Sequence, residues 1–197
     1  MKTVFMTLLG LVALAPTVWG QSVPLGSGLY KSAEAFHNHR LALAVDCKTE
    51  THKLRFHEFS GKPYMTVIHG GKPYQVAKDS LFGYRDCDGH DYRFASDNQH
   101  YGILNPGEEL LLYREQVPVG GKNPLQPKLF FSPSADALMQ PLALLTVKKA
   151  FPDNHRFHDL LDAQFQNGGE LTAYDTMHGM TKINWLLRQS RAGAVTH

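Results

Sequence analysis

Closely spaced turns constrain the fold of this chain more than any other feature of its sequence. Between residues 41 and 131, the segments His69–Lys72, Asp88–Gly89 and Asn105–Glu108 each separate two short runs of apolar and aromatic residues. Glycine in such a turn favours the backbone of a tight β-hairpin. Because no helix-length segment lies between these runs, parallel βαβ units are excluded. The pattern predicts an antiparallel β-meander, either a sandwich or a partly closed barrel.

The strands follow from the apolar and aromatic residues between the turns. A short helix or a turn, with Ser32 as the candidate N-cap of the helix, is expected over Tyr30–His39 before the first of them. We expect strands at Leu41–Val45, around Leu54–Phe56, and at Tyr64–Ile68, Tyr74–Val76, Leu81–Cys87, His90–Ala95, Tyr101–Leu104, Glu109–Arg114 and Lys128–Phe131.

Helical periodicity replaces the strand pattern near the C-terminus. It predicts helices over Pro141–Ala150, over Asp153–Gln166 with Asp153 as N-cap, and over Asp175–Ser190. Such short helices are not stable alone, so they must pack on the sheet or on one another. The predicted fold class is α+β, with residues 21–132 as a β-rich domain, 133–190 as a helical segment and 191–197 as a flexible tail.

Residues 1–20 have the organisation of a secretory signal peptide. Lys2 precedes the uncharged run Val4–Ala15, and small residues at Val18 and Gly20 suit cleavage at Gly20–Gln21. An N-terminal membrane anchor is the alternative, but the apolar run is shorter than the ~20 residues that span a bilayer. We therefore expect a secreted or periplasmic protein that is not membrane-embedded after cleavage.

The two cysteines, Cys47 and Cys87, are predicted to form a disulfide in that oxidising compartment. The loop-entropy model gives such a bond ~3–4 kcal/mol, and two free buried thiols are the alternative. The formal net charge is only +2, from 20 Lys+Arg and 18 Asp+Glu. A nucleic-acid-binding protein would need a clustered basic surface, so this class is not favoured.

A metal site is one hypothesis for the histidines, of which the chain has 11. On the predicted helix Asp153–Gln166, His155, His158 and Asp162 share the flank away from the apolar face, and His178 on the next helix would complete the set. Two or three imidazoles and a carboxylate are typical zinc ligands. The alternative is a solvated helix flank with ordinary polar neighbours.

A second acidic group surrounds the Asp88–Gly89 turn. Asp86, Asp88, His90 and Asp91 offer carboxylates that suit a hard cation such as calcium. The spacing does not match an EF-hand loop, and ordinary hairpin-turn chemistry explains the same residues. The letters His37-Asn38-His39 belong to a known nuclease signature, but three adjacent residues are not that motif, and surface polar residues are the simpler interpretation.

Tyrosines recur in the predicted strands, with arginines beside them. Tyr84, Arg85, Tyr92 and Arg93 suggest a polar aromatic surface for a small ligand or peptide. The alternative is that tyrosine simply suits a half-buried strand.

Three stretches resemble small exported bacterial proteins of unknown function: LFGYRDCDGHDYRF, NPGEELLLY and AFPDNHRFHDLLDAQF. The resemblance implies export but no activity, cofactor or catalytic residue. Gly-x-Ser-x-Gly, His-Glu-x-x-His and the phosphate-binding loop are missing from the sequence.

We therefore expect a non-enzymatic binding module, without cofactor, for a protein or small ligand of the cell envelope. A zinc-dependent hydrolase built on the C-terminal histidines and a structural component of an envelope assembly are the alternatives.

Overall fold

The computed structural model describes residues 26–48, 53–57, 61–96, 98–115, 127–165 and 170–192. The predicted signal peptide, residues 1–20, and most of the predicted tail, residues 193–197, lie outside the described residues. Within them, the α+β prediction is confirmed: an eight-stranded antiparallel sheet accompanies two smaller sheets and four helices, most of them C-terminal.

The strands in chain order are β1 Gly26–Tyr30, β2 Ala42–Asp46, β3 Lys53–Arg55, β4 Tyr64–His69, β5 Lys72–Ala77, β6 Gly83–Arg85, β7 Asp91–Phe94, β8 His100–Ile103, β9 Leu111–Glu115, β10 Leu129–Ser132, β11 Gln140–Pro141, β12 Tyr174–Asp175 and β13 Met180–Thr181. The helices are α1 Ala33–His37, α2 Leu144–Ala150, α3 His155–Phe165 and α4 Lys182–Ala192.

The main sheet has the order β11-β10-β9-β8-β7-β6-β1-β2, so six consecutive strands form the predicted meander and the β1–β2 pair extends it beyond β6. The predicted hairpin turns are present: Gly70 and Gly71 have φ of 56° and 73° between β4 and β5, and Gly89 has φ of 84° between β6 and β7. Glycine adopts this left-handed backbone without the strain that a Cβ would cause. Strands β3, β4 and β5 form a separate three-stranded sheet, which we call the small sheet.

Both faces of the main sheet are covered. On one face, Leu29, Tyr84 and Phe94 pack against Met65 and Val67 of the small sheet. Farther along the same face, helices α2, α3 and α4 cover the β9–β10 region. The cluster there contains Leu110, Leu112, Phe131, Val147, Phe157, Leu161, Phe165, Ile183, Leu186 and Leu187. The helices are therefore packed on the sheet, and they also contact one another.

The opposite face packs against α1 and the connection between β10 and β11. Its buried cluster contains Tyr30, Ala33, Phe36, Phe82, Tyr101, Ile103, Leu111, Tyr113 and Ala135. Ser32 caps α1 as predicted, because its Oγ accepts the N–H of Ala35 at 3.1 Å. No helix among the described residues is both long and apolar enough to cross a membrane.

Three helix boundaries differ from the sequence-based prediction. Helix α2 begins at Leu144, because Gln140 and Pro141 pair with β10 as a further strand. Helix α3 is capped by Asn154, whose Oδ1 accepts the N–H of Phe157 at 3.0 Å, rather than by Asp153. Helix α4 begins at Lys182, because the preceding residues form the β12–β13 hairpin.

The predicted Cys47–Cys87 disulfide is confirmed, with Cα atoms 5.6 Å apart. Cys47 follows β2, and Cys87 lies between β6 and β7. The bond thus joins the outermost strand pair of the main sheet to its meander. Residues 48–86, between the cysteines, contain the whole of the small sheet.

Candidate binding surface

The predicted tyrosine–arginine surface is not formed, because adjacent residues of a strand point to opposite faces of the sheet. The Tyr84 and Tyr92 rings stack at 4.6 Å on the face that the small sheet covers, and Tyr84 is only 4% exposed. Burial raises the pKa of the Tyr92 hydroxyl to about 12, with a further contribution from Asp86. Arg85 and Arg93 lie on the other face of the sheet.

Arg85 is part of a buried ion pair. Its Nε and Nη2 donate to the two carboxylate oxygens of Asp91 at 2.8 and 2.7 Å, and the Tyr30 hydroxyl also donates to Asp91 at 2.9 Å. Burial, followed by the charge of Asp91, raises the pKa of Tyr30 well above its usual range. The hydrogen bond with Asp91 likewise raises the pKa of Arg85. All three groups satisfy one another inside the fold, which is a structural role.

Arg93 fastens the connection between β10 and β11 to the sheet. Its Nη1 donates to the Tyr113 hydroxyl at 2.8 Å and to Ser132 Oγ at 3.2 Å, and its Nη2 donates to the carbonyl oxygen of Ala137 at 2.8 Å. The guanidinium also lies over the ring of Phe82. These contacts occupy Arg93 within the protein.

The predicted zinc ligands do not converge. His158 Nε2 donates to the carbonyl oxygens of Lys148 and Phe151 at 3.0 and 2.9 Å, and Asp162 pairs with Lys148. His178 bonds to Asp175 instead. Within the described parts of the chain, no three of His155, His158, Asp162 and His178 place ligand atoms within 4.8 Å of one another.

The group at the β6–β7 turn is the one set of potential metal ligands found among the described residues. Ligand atoms of Asp86, Asp88 and His90 lie within 4.8 Å of one another. Asp86 Oδ1, however, accepts the backbone N–H groups of Asp88 and His90 at 3.0 and 2.8 Å. Asp91 points away into the buried pair with Arg85. The group is therefore an exposed and weak candidate, whose contacts are those of an ordinary turn.

An exposed apolar surface lies on the β12–β13 hairpin and α4. Met177 is 86% exposed at the hairpin turn, Tyr174 is 57% exposed in β12, and Trp185 is half-buried on α4. The His178 ring stacks on Trp185 at 3.6 Å with an interplanar angle of 15°. We call Tyr174, Met177, His178 and Trp185 the hairpin–helix surface. A groove of about 450 Å³ runs along it, lined by Met177, His178, Trp185, Arg188, Gln189 and Ala192.

The turn that presents Met177 is held by a single carboxylate. Asp175 accepts the backbone N–H groups of Met177 and His178 at 3.0 and 3.2 Å, and its other oxygen accepts His178 Nδ1 at 2.8 Å. The hydrogen bond from the His178 side chain, with those from the backbone, holds the pKa of Asp175 below its usual value. Gly179 completes the turn with φ of 67°. Met177 is thus displayed on an ordered turn.

Helical periodicity predicts a helix over Asp175–Ser190, which includes Met177, so sequence reasoning missed this exposed turn. A local signal for the turn does exist. Asp175 and Gly179 flank three residues, and such Asp and Gly positions favour a turn in which the Asp side chain bonds to the backbone ahead of it.

A buried polar network fixes α4 to the turn between β8 and β9. Asn184 Oδ1 accepts the N–H of Leu110 at 2.9 Å, while its Nδ2 donates to the Leu110 carbonyl and to Thr181 Oγ1 at 2.8 and 2.9 Å. Glu108 accepts the N–H of Thr181 at 3.0 Å. The hairpin–helix surface therefore rests on the main sheet through satisfied hydrogen bonds.

Helix α4 is basic: it contains Lys182, Arg188 and Arg191 and no acidic residue. Arg191 makes two hydrogen bonds with Glu109, one of them at 2.7 Å, which raises the pKa of Arg191. Arg188 is exposed, and across the described ranges no carboxylate pairs with it. Its charge is therefore available to a partner beside Met177 and Trp185.

No protein-family model, curated protein or solved structure matches this chain.

Proposed function

We propose that this protein is an exported, non-enzymatic binding domain whose hairpin–helix surface contacts a partner protein. The observation that supports this is Met177, which is 86% exposed on a turn that Asp175 holds through three hydrogen bonds. Methionine and aromatic residues are enriched in protein interfaces, and hot spots favour Trp, Tyr and Arg. A rigid turn also reduces the entropy that binding would otherwise cost.

Export has two supports, the signal-peptide pattern of residues 1–20 and the Cys47–Cys87 disulfide. Disulfides persist in secreted and periplasmic proteins and are rare in the reducing cytosol. Both observations support a function in the periplasm or outside the cell, which is part of this proposal.

A binding role is favoured over a zinc hydrolase by the contacts of the C-terminal histidines. His158 is occupied by two backbone carbonyls, and Asp162 is paired with Lys148. A catalytic zinc site needs three converging protein ligands and an open position. The side chains of His158 and Asp162, both on α3, instead contact α2 and the residue that follows it, Phe151.

Site-specific photo-crosslinking in the producing cells tests the proposal. A photoreactive residue replaces Met177 in one strain and Leu145 in another, because Leu145 is a comparable exposed apolar residue on α2, 63% exposed. We expect a discrete crosslinked protein from position 177 and none from position 145. No crosslink at 177, or the same product from both positions, contradicts the proposed surface.

The unmodified protein from the same producing cells tests export. N-terminal sequencing of the native protein is expected to begin near Gln21, and fractionation to recover it outside the cytosol. Native protein that retains residues 1–20 in the cytosol, with both thiols reduced, contradicts this part of the proposal.

A further inference from the structure

We infer that the hairpin–helix surface binds an acidic peptide segment that also carries an apolar side chain, an inference that rests on the proposed function above. Two features define this partner: the groove bounded by Met177 and Trp185, and the guanidinium of Arg188 at its edge, with which no carboxylate of the described residues pairs.

The groove gives a place for the apolar side chain. Its volume of about 450 Å³ is bounded by Met177 on the hairpin and by Trp185 on α4. The His178 ring covers one face of Trp185 at 3.6 Å, which fixes the indole in position. Methionine adapts its shape to a neighbour, and the flat indole contributes a large contact area.

Arg188 gives the place for the carboxylate. It lines the groove beside Trp185 and also a neighbouring groove of about 360 Å³ between the β8–β9 turn and α4. The two acidic residues of that second groove are already engaged, Glu108 with Thr181 and Glu109 with Arg191. A partner carboxylate can therefore form the two-pronged pair that a guanidinium favours, without competition from these groups.

The amount of positive charge favours a peptide over a membrane or a nucleic acid. Helix α4 has three basic residues, one of them paired with Glu109. Recognition of an anionic membrane typically uses clusters of roughly 4–8 Lys and Arg, and nucleic-acid binding uses a basic stripe and a strongly basic domain. Recognition of a single carboxylate beside an apolar side chain requires one guanidinium and an adjacent groove with apolar walls, and Arg188, Met177 and Trp185 provide both.

Trp185 allows a direct binding measurement. The chain has 2 tryptophans, Trp19 and Trp185, so a protein that begins at Gln21 contains Trp185 as its single fluorophore of this type. The mature protein is titrated with a synthetic peptide in which Glu alternates with Phe, and with a control peptide in which Gln replaces every Glu. We expect a saturable change in Trp185 emission with the first peptide and at least ~10-fold weaker binding of the second, since replacing every Glu with Gln removes each carboxylate that could form a two-pronged pair with Arg188.

Charge reversal tests the role of Arg188. Arg188→Glu is expected to weaken binding of the Glu–Phe peptide at least ~10-fold. Arg156→Glu is the matched control, because Arg156 is an exposed arginine on α3 that does not line the groove. This variant is expected to bind within about 2-fold of the unmodified protein, since salt screens exposed charges that do not contact the peptide. Thermal unfolding of both variants establishes that they are folded.

Three results overturn the inference: no response to the Glu–Phe peptide, equal binding of the Gln peptide, or an Arg188→Glu variant that binds normally. A Trp185 response to phosphatidylglycerol vesicles, with none to the peptide, would assign the surface to a membrane instead. The photo-crosslink at position 177 distinguishes failure of the partner class, an acidic peptide, from failure of the proposed binding surface. If it survives Arg188→Glu, the partner class is wrong but the binding surface stands; if it never forms, both fail.

Discussion

The buried carboxylate of Asp91 stabilises the fold, because both of its side-chain partners lie within the protein. Asp91 is fully buried between Arg85 and the Tyr30 hydroxyl, on the face covered by α1. Removing one member of such a pair leaves the other charge desolvated and unpaired, which costs more than the pair itself contributes. The exposed pair Glu34–Arg40 lacks this property, because water and salt screen both groups.

We therefore predict that Asp91→Ala lowers the free energy of unfolding by about 3–5 kcal/mol. Glu34→Ala, which breaks the exposed pair, is expected to change it by less than about 1 kcal/mol. Urea unfolding followed by circular dichroism measures both. Similar losses in the two variants would contradict the structural role assigned to Asp91.

The β12–β13 hairpin and α4 behave as one element, since both depend on the same polar contacts. Asn184 bonds to Leu110, which immediately precedes β9, and to Thr181 at the end of the hairpin. Asp175 supports the other end of the hairpin. The surface that carries Met177 is therefore sensitive to residues that do not themselves contact a partner.

For Asn184→Ala we predict a loss of about 1–3 kcal/mol in the free energy of unfolding, because the buried N–H of Leu110 loses its partner, while the Leu110 carbonyl keeps the hydrogen bond from Asn105 Nδ2 at 2.8 Å. Gln189→Ala, a more exposed position on the same helix, is expected to change stability by no more than ~0.5 kcal/mol. Differential scanning calorimetry compares the two. An unperturbed Asn184→Ala variant would show that the network does not hold α4.

The hairpin is also predicted to loosen in acid. The native pKa of Asp175 lies below its ordinary value of 3.8, so its carboxylate contributes stability that is fully present above that value and is lost as the pH falls through the lowered native pKa. The protection factors of the Met177 and His178 amides against hydrogen exchange should fall in this range, ahead of those of the amides in β9. Asp175→Asn removes the titrating group and should remove the pH dependence; a variant with the same acid profile would refute this prediction.

At the scale of the whole molecule, the disulfide joins two parts that share one core. Residues 48–86 contain the small sheet, and Met65 and Val67 of that sheet pack on Leu29 and Tyr84 of the main sheet. Cross-linking the ends of this segment restricts the unfolded chain and holds the small sheet near the face it covers.

Replacing both Cys47 and Cys87 with serine is predicted to lower the free energy of unfolding by about 2–5 kcal/mol. Reduction of the unmodified protein with dithiothreitol should have the same effect, which serves as the control. Chemical denaturation under oxidising and reducing conditions measures the difference. Identical midpoints with and without the bond would contradict the stabilising role.

The sequence by itself determined the local geometry of the meander. The Gly70–Gly71 and Gly89 turns were predictable because positive φ is a property of one or two residues and needs no distant contact. The apolar spacing in α3 was equally local: Phe157, Leu161 and Phe165 are buried as the helical period requires. The even cysteine count and the export pattern predicted the disulfide.

Tertiary structure decided what each face of these elements does. Alternation separates Tyr84 from Arg85, but only the packing of the small sheet on one side and α1 on the other buries both faces. The backbone carbonyls of Lys148 and Phe151 engage His158, which helical spacing alone had offered to a metal. Pairing of Tyr174–Asp175 with Met180–Thr181 delays the start of α4 and leaves Met177 exposed. Such outcomes depend on contacts between residues distant in the chain or on competition between local structures, so periodicity along one segment does not contain them.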